Sequence, residues 1–133
     1  MIIGIGSDLA NIARIENSIT KFGERFLNKT YSEKEILEMD KRKKVSLRRY
    51  ASSAAKRFAA KEACSKALGT GFRRGVYLKD IEILHAPSGK PDIVLYNGAL
   101  KRAQEIGGEN FQVVVTMTDD YPWAQALVII EKL

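Results

Sequence analysis

The sequence predicts an α+β fold in which a long helix packs on one face of a largely antiparallel sheet. Segments rich in β-branched residues and segments with helical spacing of apolar residues follow one another in the order β-α-α-α-β-β-α-β-β. This order favours helices gathered on one side of a sheet. With 133 residues and no linker, repeat or low-complexity segment, we expect a single domain over residues 1–133 with its own hydrophobic core.

The chain begins with a predicted buried strand over residues 2–7, followed by a helix from about Ala10 to Phe22. The isoleucines of the first segment suit a central strand. Gly4 and Gly6 remove side chains where another backbone or a ligand comes close. Taken alone, Asp8 at the end of this strand is best explained as the N-cap of the helix that follows.

Two further helices are predicted before the middle of the chain. Ser32-Glu33-Lys34-Glu35 has the pattern of a capping box, which begins a short helix running to about Met39. The basic run Lys41–Lys44 is interpreted as a solvated loop. Ser46 then caps a long helix that ends at Leu68, with the residues expected in the core being Tyr50, Ala54, Phe58 and Leu68.

The second half of the chain contains four predicted strands and one helix. The turn Ala86–Pro91 joins the first two strands into a hairpin. Asn97 is a candidate N-cap for the helix, which ends at Gly107-Gly108. The strands are expected over residues 81–84, 93–96, 111–118 and 124–131.

The charge of +6 is unevenly distributed along the chain. Residues 1–75 hold 17 Lys and Arg against 8 Asp and Glu, whereas residues 76–133 hold 5 against 8. A basic surface of this kind attracts an acidic macromolecule, which could be a nucleic acid or an acidic protein. Cations that are candidates for this surface are Arg14, Lys21, Arg25, Lys29, Arg48 and Arg49.

The cysteine and histidine content argues against several kinds of site. A single cysteine forms no internal disulfide, which fits a reducing cytosol, and the N-terminus lacks the basic region of a signal peptide. One Cys and one His make a zinc site improbable. Cys64 is expected to pack as a small apolar residue, and His85 lies in a different predicted element, so neither a catalytic thiol nor a Ser-His-Asp triad is supported.

The segment Arg57–Gly71 is the most informative part of the chain. Glu62 and Lys66 are four residues apart on the predicted long helix and therefore share one face. Arg57 and Lys61 form a second row beside them. A carboxylate among cations is typical of a hard cation bridged to phosphate oxygens, although the residue types alone favour ordinary ion pairs on a solvated helix face slightly more.

Two separated motifs carry a family resemblance: Gly4-Ile5-Gly6-Ser7-Asp8, and Arg57-Phe58-Ala59-Ala60-Lys61-Glu62-Ala63 with Lys66. In both motifs the chain resembles the 4′-phosphopantetheinyl transferase superfamily. Its length matches the small bacterial branch of that superfamily. The likeness extends to Gly69-Thr70-Gly71, to Ser88-Gly89-Lys90-Pro91 and to the closing strands. Two separated motifs in a chain of matching length make the resemblance specific.

The resemblance implies a transferase that moves the phosphopantetheine arm of coenzyme A to a serine of an acyl carrier protein in fatty acid biosynthesis, releasing adenosine 3′,5′-bisphosphate. It implies Mg²⁺ held by Asp8 and Glu62. Lys66 is expected to contact phosphate, while a role as base toward the serine remains an alternative, as does a metal-bound water. The residues that the resemblance places at the coenzyme are Arg57, Phe58, Lys61, Lys66, Gly69, Thr70, Gly71, Ser88, Gly89, Lys90 and Pro91.

Several of these residues have a purely structural alternative. Arg57 and Lys61 suit phosphates, but each is equally able to pair with a neighbouring acid. Phe58 in mid-helix is more often part of a core. The segment Gly69–Gly71 is also explained as a helix C-cap, and Ser88–Pro91 as a hairpin turn, which the sequence alone favours.

The chain departs from the family pattern in the strand over residues 111–118. Many relatives have a Ser/Thr-His pair there, whereas Met117 occupies the His position in this chain. An imidazole at that position is therefore not required for this protein's chemistry. Thr116 or Thr118 is an alternative source of a hydroxyl contact.

The resemblance also implies partners. Acyl carrier proteins are acidic, and Arg14, with Lys21 and Arg25, is the expected docking surface for one. Small members of the family form homotrimers with the coenzyme between subunits, and cytoplasmic localisation is expected. The alternative functions are a nucleic-acid-binding module, which lacks the usual readout motifs, and a non-catalytic adaptor for acidic proteins, against which the intact Asp8, Glu62 and Lys66 argue.

Overall fold

The computed structural model describes residues 1–133 and contains five strands and five α-helices, with a short 3₁₀ turn before the second strand. The strands are β1 (Ile2–Asn11), β2 (Ile81–His85), β3 (Pro91–Leu95), β4 (Phe111–Asp120) and β5 (Trp123–Lys132). The helices are α1 (Ile12–Phe22), α2 (Glu24–Thr30), α3 (Glu33–Lys43), α4 (Leu47–Ala67) and α5 (Asn97–Gly107).

Every strand pairing is antiparallel, which confirms the predicted fold class. The strands form two sheets rather than the single sheet expected. β5 lies between β1 and β4 in a three-stranded sheet, and β2 pairs with β3 in a separate hairpin. In the larger sheet, Asp8 lies opposite Ala126 of β5, and Met117 lies opposite the same residue on the other side.

The core is formed by α4 against the inner face of the three-stranded sheet. Half of the buried α4 residues are alanines, from Ala51 to Ala67, and their small side chains allow the helix axis to lie close to the strands. The opposing strand residues alternate between buried and exposed, as the pleat of a sheet requires. On β5 the buried members are Ala124, Ala126, Val128 and Ile130.

Helix α2 was not expected from the sequence. Gly23 adopts a φ of 54° and interrupts the helical pattern after α1, so the short polar segment that follows has too little periodicity to be recognised. Phe26 and Leu27 of α2 nevertheless pack against the core. Helix α3 is also longer than expected, because most of Lys41–Lys44 forms its exposed last turn, where cations are favourable.

The helix caps agree with expectation at two sites and differ at two others. Ser32 forms the predicted capping box with Glu35, and Ser46 accepts a hydrogen bond from the backbone N–H of Arg49. Asp8 caps no helix, because β1 continues to Asn11, and the Asn11 side chain caps α1 instead.

Asn97 is the first residue of α5 rather than its cap, and its side-chain amide donates to Asp80. No helix in the structure combines the length and the apolar character needed to cross a membrane.

Candidate active site

Strand β1 approaches helix α4 closely because it has glycine at two inward-facing positions. A Cβ atom on Gly4 would collide with the carbonyl oxygen of Ala67, and one on Gly6 would collide with the carbonyl oxygen of Ala63. The predicted close approach is therefore that of the helix backbone. It brings the next inward-facing residue of β1, Asp8, beside the last two turns of α4.

Three polar side chains meet at this junction. Nζ of Lys66 donates to Oδ1 of Asp8 at 2.9 Å and to the backbone carbonyl of Ser7 at 3.1 Å. Glu62 lies one turn before Lys66 on the same face of α4 and is close enough for its carboxylate to feel the charge of Asp8. The side chain of Lys66 is 54% exposed, so the cluster opens to solvent.

The charges in this cluster influence one another in opposite directions. Partial burial raises the pKa of Glu62, and the neighbouring Asp8 carboxylate raises it further, while Lys66 lowers it. The hydrogen bond to Asp8 raises the pKa of Lys66, as does the negative charge of both carboxylates. Lys66 is therefore an ammonium at neutral pH, which disfavours its alternative role as a base.

The two carboxylates fit a magnesium ion only with help from a ligand. The chain has no cluster of three or more His, Cys, Asp or Glu side chains of the kind that encloses a metal completely. Mg²⁺ commonly takes one or two carboxylates and completes its octahedral shell with water and phosphate oxygens. The donor set of Asp8 and Glu62 therefore matches a metal that binds together with a phosphorylated substrate.

Arg57 and Lys61 point away from this cluster and into the protein. Nζ of Lys61 is fully buried, donates to Oε1 of Glu35 at 2.7 Å and also donates to the carbonyls of Leu78 and Ile81. Burial lowers the pKa of Lys61, and Glu35 opposes that shift. Lys61 therefore pairs with a neighbouring acid in this structure, which is the structural alternative given above.

Arg57 makes equivalent structural contacts. Its guanidinium donates to the carbonyl of Ile83 at 2.8 Å and to Oε1 of Glu38 at 2.6 Å. Burial lowers its pKa, against the effect of Glu35 and Glu38. Arg57 and Lys61 thus connect α4 to α3 and β2 through ion pairs and hydrogen bonds.

The remaining motif residues on α4 have mainly structural contacts. Phe58 is half-buried and stacks on Phe26 with ring centroids 6.4 Å apart. Gly69 and Gly71 have φ values of 80° and 60°, and the backbone N–H groups of Thr70 and Gly71 close the helix end on the carbonyl of Ser65. Cys64 is buried, and burial raises the pKa of its thiol to about 12, as expected for an inert core residue.

The residues expected at the surface are exposed. Ser88-Gly89-Lys90 forms the tip of the β2–β3 hairpin, closed by hydrogen bonds between Ala86 and both Gly89 and Lys90. Arg14 and Lys21 lie seven residues apart on one face of α1. Arg25 is exposed as well, but it lies on α2 beyond the break at Gly23, not on the first helix as expected.

A basic cavity of about 350 Å³ lies on the other side of α4, between α3, β2 and β4. The sequence analysis found the cations of this cavity only as part of the basic first half of the chain. It could not predict the cavity, because no sequence spacing links residues from four separate elements. Met117 lines the cavity, and His85 from β2 does so too, so the same cavity still has an imidazole in its wall. The full lining is Arg42, Arg48, Arg49, Ser52, Ser53, Lys56, His85, Met117 and Asp119.

Thr116 and Thr118 do not line this cavity. They alternate with Met117 along β4 and are exposed on the opposite face of the sheet. The proposed hydroxyl contact from this strand would therefore face the outside of the sheet and not the basic cavity.

Comparison with known proteins identifies the family. Residues 4–126 match the model of the 4′-phosphopantetheinyl transferase superfamily. The chain is 54% identical over 135 aligned residues to the holo-[acyl-carrier-protein] synthase of Sinorhizobium fredii, with 100% of this chain and 94% of the relative covered.

Solved structures give the same result. The holo-[acyl-carrier-protein] synthase of Neisseria meningitidis superimposes with a TM-score of 0.83 at 37% identity, covering 99% of this chain and 100% of the other. The Helicobacter pylori enzyme, solved in complex with coenzyme A, gives a TM-score of 0.79 at 30% identity, covering 96% and 99%. The resemblance inferred from the two sequence motifs is confirmed.

Proposed function

This chain belongs to the 4′-phosphopantetheinyl transferase superfamily, and from that premise we propose that it transfers the 4′-phosphopantetheine arm of coenzyme A to a serine hydroxyl of apo acyl carrier protein. The serine oxygen forms a bond to the pantetheine-bearing phosphorus, the pyrophosphate bond breaks, and adenosine 3′,5′-bisphosphate leaves. The serine proton passes to solvent or to a base. The observation that carries the proposal is the meeting of Asp8, Glu62 and Lys66 at the β1–α4 junction.

Asp8 and Glu62 would hold the magnesium ion on which the reaction depends. Burial and the neighbouring Asp8 charge raise the pKa of Glu62, and a bound cation would offset both effects, so the pair of carboxylates favours cation binding. The bound ion would neutralise phosphate oxygens of coenzyme A as the pyrophosphate breaks.

Lys66 would bind a phosphate oxygen and stabilise its developing charge. Its ammonium is exposed and pre-oriented by Asp8, and the raised pKa keeps it charged at neutral pH. The same charge leaves Lys66 unsuited to accept the serine proton. A water activated beside the carboxylates is therefore the better choice of base.

The basic cavity would bind further phosphates of the coenzyme, and it would do so from a neighbouring copy of the chain. Arg49 and Glu62 are thirteen residues apart on α4, which places them about 20 Å apart along the axis and on different sides of the helix. A single extended coenzyme fits this arrangement better if the carboxylates of one subunit face the cations of another.

The outer face of the three-stranded sheet is a suitable subunit interface. Ile5 and Leu9 of β1 are each 61% exposed, and Val114 and Trp123 extend the same apolar surface on β4 and β5. Exposed apolar patches of this kind mark protein interfaces. We assign this face to contacts between copies of the chain in a homotrimer with active sites between subunits.

The carrier protein would bind at the exposed basic residues of α1 and α2, Arg14, Lys21 and Arg25. Acyl carrier proteins are acidic, and complementary charge both orients the encounter and accelerates it. Cytoplasmic fatty acid biosynthesis is the pathway and compartment expected for such a carrier, and the single reduced Cys64 is compatible with this setting.

The direct test is the intact mass of an apo acyl carrier protein after incubation with this protein, coenzyme A and Mg²⁺. We expect the carrier to gain one phosphopantetheine group. The gain should be absent with EDTA and absent with Glu62→Ala, while Lys101→Ala, on the exposed face of α5, should retain full activity. No gain on several carriers with folded protein would overturn the proposal.

A further inference from the structure

One carboxylate contacts both the ring and the backbone of His85 at the end of β2. Its Nδ1 lies 3.1 Å from Oε1 of Glu38, and its backbone N–H donates to Oε2 of the same side chain at 3.2 Å. Nη2 of Arg57, which only donates, lies 3.3 Å from the same Nδ1. The contact with Glu38 is the shorter one, and because an ionised carboxylate only accepts hydrogen bonds, it favours the proton on Nδ1. Nε2 is then the one ring nitrogen without a partner in the protein.

His85 lies in the wall of the basic cavity, and that cavity has more cations than its own anions neutralise. Lys56 pairs with Asp119 at 3.0 Å, but Arg42, Arg48 and Arg49 form no ion pair. Arg48 instead lies over the ring of Tyr121 at 3.8 Å. The cavity is therefore prepared for an anion with several oxygens.

The charges that face His85 come from α3, α4 and β4 and include both signs. The negative charge in contact with the ring is that of Glu38 of α3. Strand β3 contributes no charge directly opposite, because Pro91 is the partner of His85 in the hairpin. The positive groups are Arg42 of α3 and Arg48, Arg49, Lys56 and Arg57 of α4, and Asp119 of β4 pairs with Lys56.

We propose that His85 is a further anion-binding residue of this cavity. It takes up a proton from solvent when a phosphate group binds, so that Nδ1–H donates to Glu38 and Nε2–H donates to a phosphate oxygen. The bound anion neutralises the charge of the surrounding arginines and gives the imidazolium a hydrogen-bonded counter-ion.

The consequence is that anion binding and protonation of His85 favour each other. Affinity for the anion therefore rises as the pH falls through the titration of the imidazole, and declines toward alkaline pH. This inference rests on the proposed function in one respect, namely that the natural anion is a phosphate group of coenzyme A. The linkage itself holds for any oxyanion of similar size.

The test uses proton NMR of the full chain with any affinity tag removed. His85 is the only histidine, so its Cε1–H signal needs no assignment. The imidazole is titrated in chloride, in sulfate at matched ionic strength, and with coenzyme A. Sulfate does not titrate in this range, so a change in the curve reports His85 alone. We expect the titration midpoint to move to higher pH by about one unit when the anion is bound.

Two variants separate a binding role from a structural one. His85→Gln should weaken binding of coenzyme A about tenfold at pH 6 and leave it unchanged at pH 8.5, because only the charged imidazole is lost. Arg49→Gln should reduce the sulfate-induced movement of the midpoint, and Lys101→Gln should not. Equal loss of affinity at both pH values in His85→Gln, or no loss at pH 6, would overturn the proposal.

The ligands also distinguish this inference from the proposed function. A midpoint moved by sulfate and by coenzyme A supports both. A midpoint moved by sulfate alone supports the anion site and contradicts the placement of a coenzyme phosphate in it. A midpoint that neither ligand moves overturns the assignment of His85, whatever the protein does with coenzyme A.

Discussion

At the scale of single residues, the candidate site is a balance between two carboxylates and one ammonium. Lys66 pairs with Asp8 and leaves Glu62 in a partly buried position where a second negative charge is costly. The raised pKa of Glu62 means that this side chain, unlike most surface glutamates, destabilises the folded protein when it ionises. Functional sites commonly hold such unfavourable charge until a ligand compensates it.

We expect Glu62→Gln to stabilise the metal-free protein at neutral pH. The folded state holds the Glu62 proton to higher pH than the unfolded chain, so stability is lost as the pH rises through its folded-state pKa, and glutamine avoids that loss. Thermal unfolding followed by circular dichroism at pH 7.5 should show a Tm higher by about 2 °C, with no difference near pH 4.

Added Mg²⁺ with coenzyme A should reverse the order of the two proteins. The wild-type chain gains stability from binding, whereas Glu62→Gln gains little. A variant that is less stable than wild type at pH 7.5 without ligand would show that Glu62 has a stabilising contact that the pKa shift does not reveal.

At the scale of elements, the site depends on how closely β1 lies against α4. The sequence indicated this through Gly4 and Gly6, and it gave the extent of α4 and of the last two strands to within a few residues. It did not reveal α2, because seven residues after a glycine break provide less than two turns of periodicity.

The roles of Arg57 and Lys61 could not be decided from residue types and follow from tertiary contacts. Arg57 and Lys61 have the composition of a phosphate site, yet both are buried against Glu38 and Glu35 on α3, which only the folded chain brings near. For the same reason the basic cavity could not be found, since its members come from α3, α4, β2 and β4. Local spacing predicts which residues share a helix face, but not what lies opposite that face.

Gly6→Ala should separate β1 from α4. The new methyl group meets the backbone of Ala63 and Ala67, which cannot rotate away, so we expect the free energy of unfolding to fall by about 1–3 kcal/mol. Urea denaturation measures this loss. At a low temperature, where the variant is still folded, its rate of carrier modification should nevertheless be lower than that of the wild type. Ser7→Ala, on the other face of β1, is the matched control, and equal effects of the two changes would contradict this packing.

Arg14→Glu should weaken carrier binding strongly and leave coenzyme binding nearly unchanged. The charge reversal replaces attraction to an acidic helix with repulsion, so the KM for the carrier should rise about tenfold or more. Lys101→Glu, an equal charge change on α5, controls for the altered net charge. Equal loss of coenzyme and carrier binding would remove Arg14 from the docking surface.

At the scale of the whole molecule, the two faces of the three-stranded sheet have different roles. The inner face packs on α4 and holds Asp8, while the outer face exposes Ile5 and Leu9. The carboxylate cluster and the basic cavity lie on different sides of α4, which supports an active site completed by a second copy. Function would then depend on assembly.

Ile5→Glu combined with Leu9→Lys should prevent assembly without unfolding the subunit, because both side chains point away from the core. Light scattering after size-exclusion chromatography should change from trimer to monomer, and carrier modification should be lost. Lys101→Glu, on the exposed face of α5, should leave the mass unchanged. A monomeric wild-type protein that is fully active would contradict the interface.

Subunit complementation tests most directly whether one coenzyme meets the carboxylates of one copy and the cations of another. Glu62→Ala and the double variant Arg48→Gln/Arg49→Gln are each inactive in this scheme. The two variants are co-expressed and purified as mixed trimers, and phosphopantetheine transfer is followed as the mass gain of the carrier. The mixed trimers should have about a quarter of the wild-type rate, because about a quarter of their interfaces combine intact carboxylates with intact cations. Mixed trimers as inactive as the separate variants would place the whole reaction within one subunit.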